Sequence, residues 1–296
     1  MKSVPVIHRP VAAAVWMIGS IAGFSALAVS GREIGAALDT FEMMLYRSLI
    51  GVVAVSAFAI VTGRRGEIEA RHLRLHLFRN IVHFAGQNLW LVALTLIPLA
   101  QLFALEFSYP IMVALTAPVF LSERLTPTKI AAAAMGFLGI LIVARPFGAE
   151  GLSIGLVTAL LCALSFAGSA IITKRLTRIA TVICILFWLA VMQTGLSLIC
   201  AGWDGRIALP TREVLPWVVV MGLAGLGAHL CLTMALSLAP ASVVTPVDFL
   251  RLPIIALVGM SFYGEALDPW VFAGGAVIFA ANWINIRAEN RVRYVT

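Results

Sequence analysis

The sequence has little charge: 12% of its 296 residues are Asp, Glu, Lys or Arg, about half the 25% of an ordinary soluble domain. With 61% of residues hydrophobic, a water-soluble fold would lack the polar surface to cover itself. Disorder is excluded by the same combination of high hydrophobicity and low charge. Cysteine is scarce too. Four in the whole chain staple nothing, which excludes a secreted disulfide scaffold. There is no P-loop, so ATP does not drive the chain directly, and Gly222–Gly227 lacks the βαβ setting of a dinucleotide fingerprint.

What is abundant is long apolar runs. A membrane-spanning helix takes roughly 20 apolar residues, and ten such stretches lie near 12–29, 41–61, 80–97, 100–121, 129–146, 152–172, 181–201, 215–236, 242–262 and 270–287. The chain therefore reads as an all-α integral membrane protein with ten transmembrane helices and no room for a soluble catalytic domain. The net charge of +7 is then a topology signal, not a nucleic-acid footprint. With the N-terminus inside, Lys and Arg number 15 on the inner face and 4 on the outer, with Arg47 and Arg251 inside spans. The expectation is both termini cytoplasmic in the inner (plasma) membrane. Ala26-Leu27-Ala28 resembles a signal-peptidase site, but cleavage there would leave nine spans and break the repeat that follows.

Sliding the chain by 142 residues sets Leu96-Ile97-Pro98 on Leu238-Ala239-Pro240, Glu106-Phe107 on Asp248-Phe249, Phe120 on Phe262, and Glu123-Arg124-Leu125-Thr126-Pro127 on Glu265-Ala266-Leu267-Asp268-Pro269. Eleven of the 36 positions from 92 to 127 are identical without a gap. Matching Pro, Glu and Phe in register are not what two unrelated apolar helices share. The duplication divides the chain into 1–147 and 148–296, five spans each. Five is odd, so the second half enters from the opposite face, giving an inverted repeat of the kind secondary transporters use.

The span-end pattern reads Pro98, Tyr109-Pro110, Pro118, Glu123, Leu125-Thr126-Pro127, Gly136 and Gly139 in the first copy. In the second it reads Pro240, Pro253, Gly264-Glu265, Leu267, Pro269 and Gly274-Gly275. On these residues the chain resembles the ten-helix EamA type of the drug/metabolite transporter superfamily over nearly its whole length. Leu252 stands opposite Pro110, and the second glycine pair is shifted. Phe41-Glu42, Tyr46-Arg47 and Arg79 are similar to the group of S-adenosylmethionine and riboflavin uptake carriers. The resemblance implies a secondary transporter that moves a small organic metabolite (amino acid, nucleoside-like or vitamin-like) by alternating access. The alternative from another class is a membrane-embedded enzyme or lipid-handling protein on the same bundle.

Ionisable residues within spans are functional candidates by default, in substrate paths or proton relays. Four stand out: Arg47, Glu106, Asp248 and Arg251. Arg47 and Glu106 each lie six residues into spans entering from outside, about 9 Å deep at 1.5 Å per residue. An Arg47–Glu106 ion pair is therefore allowed, either as a gate or as a helix lock. Asp248 and Arg251 are three apart and share a helix face. There Arg251 is a candidate for contacting an anionic group of the cargo, with Asp248 neutralising it, and Glu106 or Asp248 is a candidate for carrying a coupling proton.

His83, Gln87 and Trp90 recur at helical spacing on span three. His229 matches Gln87 under the shift, and Trp90, Tyr109 and Phe249 offer stacking surface for a central cavity. Trp203, Trp217, Tyr263 and Trp270 read as an interfacial belt. Gly19, Gly23 and the glycines at 222, 225 and 227 read as helix contacts, and Pro98, Pro110, Pro118, Pro240, Pro246 and Pro253 as helix breaks near the cavity. His72-x-x-x-His76 has ligand spacing, but Arg71, Arg74 and Arg79 surround it and disfavour a cation. The expectation is no metal, no cofactor and no catalytic residue; the partners are a small-molecule substrate, the bilayer and a coupling proton.

Overall fold

A backbone in lipid must satisfy its own polar groups, which leaves helices as the way to span with so little charge. The computed structural model describes residues 9–121, 126–145, 152–238, 244 and 247–293. Lys2, Glu123, Arg124, Leu125, Pro240 and Pro246 lie outside them. The helices are α1 (Pro10–Ile34), α2 (Thr40–Val61), α3 (Leu73–Leu96), α4 (Leu99–Glu106), α5 (Tyr109–Leu121), α6 (Pro127–Ala144), α7 (Ile154–Leu176), α8 (Val182–Ala201), α9 (Leu215–Leu238), α10 (Arg251–Tyr263) and α11 (Pro269–Arg293). Seven are long and apolar enough to cross a membrane alone.

Sequence signals set several helix starts. Asp39 caps α2 through Phe41 N and Glu42 N, and Glu42 returns a bond to Asp39 N, a complete capping box. Thr126, Ser153 and Thr181 cap α6, α7 and α8 through their side chains. Span three begins earlier than expected, at Leu73, and so takes in His76 and Arg79.

The fourth and ninth spans are not single helices. Eight residues of α4 rise about 12 Å, and a turn at Phe107–Ser108 separates α4 from α5. Pro98 caps α4, and Pro110 stands in the first turn of α5, where its missing N–H costs nothing. In the ninth span a turn at Phe249–Leu250 precedes α10, with Pro253 in its first turn. α4 lies at the centre of the bundle, with Leu99, Leu102, Phe103, Ala104 and Leu105 fully buried.

The repeats are woven together. The largest helix interfaces are α1 with α9, α3 with α7, α6 with α11 and α2 with α8, each joining one half to the other. Contacts come in related pairs, as a two-fold arrangement requires. Gly23 packs against Ala228, and Gly86 against Ser165; shifting Gly23 and Ala228 by 142 gives Ser165 and Gly86. α6 and α11 cross at Gly139 and Gly274. A methyl on Gly139 would stand 2.9 Å from Gly274 O, and one on Gly274 would stand 2.7 Å from Gly139 O. The shifted glycine pair thus supplies the facing half of a close crossing. Gly19, Gly23, Gly222 and Gly225 also meet neighbouring helices, whereas Gly227 faces open space.

Candidate functional site

A cleft opens between α2, α3, α8 and α9, with fifteen lining residues. Twelve of these form six pairs separated by 142: Met44 with Leu186, Arg47 with Leu189, Ser48 with Ala190, Gly51 with Gln193, His83 with Gly225, and Gln87 with His229. A cavity lined by residues and their repeat mates lies on the axis relating the repeats. Its volume is about 60 Å³, far short of the several hundred of a typical small-molecule pocket. A metabolite therefore needs a wider conformation to enter.

The walls differ. Arg47, Ser48, His83 and Gln87 come from the first repeat, and their mates are Leu189, Ala190, Gly225 and His229. Arg47 Nη1 donates to Gln87 Oε1 and touches Met44 Sδ at 3.7 Å. His83 Nδ1 is 3.3 Å from Ser169 Oγ, and its ring lies against Phe166 at 5.6 Å. His229 meets Phe24 edge to face at 5.2 Å. Arg79, buried, donates to Thr173 Oγ1 and Asn80 Oδ1.

Next to the cleft is a charge cluster at the two helix breaks. Arg251 Nη2 lies 3.2 Å from Asp248 Oδ2 and 3.8 Å from Glu106 Oε1. Its guanidinium is 4.6 Å from the Phe24 ring centre, 5.1 Å from Phe103 and 4.9 Å from Phe107, a cage suited to a cation. Trp90 Nε1 donates to Glu106 Oε2 at 2.8 Å. Tyr109 opens α5 within electrostatic range of Asp248 and Glu106. Phe249 stacks between Phe107 at 4.6 Å and Phe279 at 4.8 Å. Phe24 joins cluster to cleft, since it contacts both Arg251 and His229.

The expected residues thus fall into two groups. His83, Gln87, His229 and Arg47 line the cleft; Trp90, Glu106, Tyr109, Asp248, Phe249 and Arg251 form the neighbouring cluster. The Arg47–Glu106 pair is not formed. Arg47 turns to Gln87, and Glu106, at the end of α4, meets Arg251 and Trp90. Equal depth along the membrane normal does not fix which way two helices face. Among the described residues, no group of three His, Cys, Asp or Glu is placed to hold a metal.

A clamp at one end of the bundle was not legible in the sequence. Arg32 donates to Leu94 O and Ile97 O at 2.7 Å each and pairs with Glu265, which accepts from Leu99 N at 2.9 Å. Arg32 also lies 4.9 Å over the Tyr263 ring, Tyr263 OH donates to Glu33, and Arg145 pairs with Asp268. The sequence alone reads Tyr263 as a belt aromatic and Glu265 and Asp268 as positions of the repeat. The signal available was Glu265, a carboxylate repeated at a span end. Glu42 and Tyr46 likewise tie the 202–214 loop to α2, by accepting from Ala208 N at 2.6 Å and donating to Ala208 O at 2.7 Å. Trp203 and Trp270 are exposed.

The EamA-like transporter family profile matches residues 11–145 and again 153–287. The chain is 35% identical over 220 residues to a riboflavin transporter of Rhizobium johnstonii, covering 73% of this chain and 71% of that protein. It is 25% identical over 278 residues to an S-adenosylmethionine uptake transporter of Rickettsia bellii, covering 93% and 94%. A crystal structure at 20% identity superposes with a TM-score of 0.64 over 95% of this chain and 98% of that one, which shows a shared fold.

Proposed function

We propose, for a chain that belongs to the EamA-like transporter family and so moves a small metabolite across a membrane, an alternating-access cycle centred on the cleft between the repeats. The observation that carries this reading is the cleft's lining by six pairs of repeat mates. A site on the axis of an inverted repeat is equally placed to open to either face, as in other inverted-repeat carriers. The protein sits in the inner membrane with both termini cytoplasmic, the orientation favoured by the 15-to-4 split of Lys and Arg. Its substrate is a vitamin- or nucleoside-like solute, the class that the names of the relatives suggest.

The Glu106–Arg251–Asp248 cluster is the proposed coupling centre. Among the described residues, Asp248 Oδ1 and Arg251 Nε are buried without a hydrogen-bond partner. Asp248 can accept a proton on that oxygen without giving up its contact with Arg251, and protonation removes the charge that holds α10 to the turn before it. Counterflow of labelled metabolite in proteoliposomes tests the carrier. It should exchange solute without chemical conversion, and turnover to a new product would contradict the reading. The Glu106→Gln, Asp248→Asn double variant should retain counterflow but lose accumulation driven by a pH gradient. Full gradient-driven accumulation would remove the cluster from coupling.

A further inference from the structure

Two arginines reach the interior beside the cleft path, and their surroundings differ. Arg251 has two carboxylates and three aromatic rings. Arg47 has no carboxylate within ion-pair distance among the described residues; its partners are a neutral amide and a thioether, both on Nη1. A third buried arginine, Arg79 on α3, also bonds only neutral groups among the described residues. Among the described residues, no Asp or Glu lines the cleft. A guanidinium held in an apolar bundle without a counter-charge is costly, and that cost is offset when a ligand supplies the charge.

The geometry of Arg47 says where that charge fits. With Nη1 taken by Gln87, the Nε–Nη2 edge remains, the edge whose two parallel N–H groups match an oxyanion. It faces α9 at Gly225, where a methyl group would stand 3.2 Å from both nitrogens. Glycine lets α9 pack this closely on the fork, so an oxyanion reaches the edge when α9 draws back in the wider conformation a metabolite needs. The repeat makes the asymmetry plain, because the mate of Arg47 is Leu189 on the opposite wall. The cleft thus has one cationic wall and one largely apolar wall. Its volume of about 60 Å³ suits a single small group, not a whole metabolite.

We infer that Arg47 is the substrate-binding residue for an oxyanion group, carboxylate or phosphate, so that the transported metabolite is an organic anion or zwitterion whose apolar part lies toward Leu189. This deepens the carrier reading and rests on it. It also separates the relatives' named solutes chemically: S-adenosylmethionine carries a carboxylate, and riboflavin carries no anionic group. The cluster at Arg251 is not needed for anion binding, since its charge is already answered within the protein.

The test is uptake from a mixed metabolite extract into proteoliposomes, with accumulated compounds identified by mass spectrometry against empty vesicles. Wild type should accumulate compounds bearing a carboxylate or a phosphate, and which of the two appears identifies the oxyanion. Arg47→Gln should lower their uptake by about tenfold or more, the scale of a lost charge-assisted hydrogen bond, and Arg47→Lys should retain part of it. Should Arg47→Gln fail to fold, Arg47→Lys serves in its place: it keeps the charge, loses the two-N–H fork and should raise the concentration needed for half-maximal uptake of the same anions. Accumulation of neutral compounds, riboflavin included, with Arg47→Gln as active as wild type overturns the inference and leaves the carrier standing. No accumulation over empty vesicles would overturn both.

Discussion

Arg251 shows what a cation inside an apolar bundle requires: two carboxylates at 3.2 and 3.8 Å and three ring faces within about 5 Å. Removing the cation should do more harm than removing one of its partners, because the two carboxylates would then face each other unpaired. Arg251→Ala should destabilise the protein by about 3–5 kcal/mol, the range for breaking a buried pair. Glu106→Gln, which leaves Arg251 with Asp248, should cost less. Thermal melts of the two variants in detergent check the order, and equal losses would mean that the cluster does not act as a unit. At this scale the sequence was informative about identity and poor about pairing. Asp248 and Arg251 were legible from their spacing alone. The partner of Arg47 was not, because depth along a span does not say which way a helix faces; helix rotation and the break after Glu106 decide the pairing.

Breaks and crossings define the elements. The short α4 and the turns at Phe107–Ser108 and Phe249–Leu250 put Glu106 and its mate Asp248 at helix ends, where irregular backbone in a membrane is tolerated because protein surrounds it. The prolines announced breaks in these spans without saying which turn would open. The glycines were legible as contact residues, but not as contacts with each other. Gly139 and Gly274 occupy different repeat positions, and only the crossing of α6 and α11 explains both. Gly139→Ala would press a methyl against Gly274 O and Ile278 N, at 2.9 and 3.0 Å, backbone atoms that cannot turn aside as a side chain can. It should cost about 1–3 kcal/mol, the usual penalty for overpacking, whereas Gly227→Ala, facing open space, should be close to neutral. Melting temperatures of the pair test this, and a tolerant Gly139→Ala would mean that α6 and α11 separate more freely than the crossing implies.

At the scale of the whole molecule, the repeat was visible in sequence but its interweaving was not. Five spans per half suggest two bodies rocking against each other, yet the largest interfaces each join a helix of one half to a helix of the other. Hydrophobic runs fix length and number, and say nothing about which apolar face meets which. The same interweaving brings Arg47 and Leu189, far apart in the chain, to opposite walls of one cleft. At one end of the bundle, Arg32, Glu265 and the backbone of 94–99 tie three segments together, so access from that end requires the clamp to part. In the proposed cycle this axial cleft is the substrate path and opens to each face in turn. The direct measurement is to place a cysteine at Leu189 in a chain freed of Cys162, Cys184, Cys200 and Cys231, and to label it with a membrane-impermeant thiol reagent in right-side-out and inverted vesicles. Labelling is expected from both faces, with protection by transported substrate from either; labelling from neither face, or from one face only and unaffected by substrate, would rule this path out.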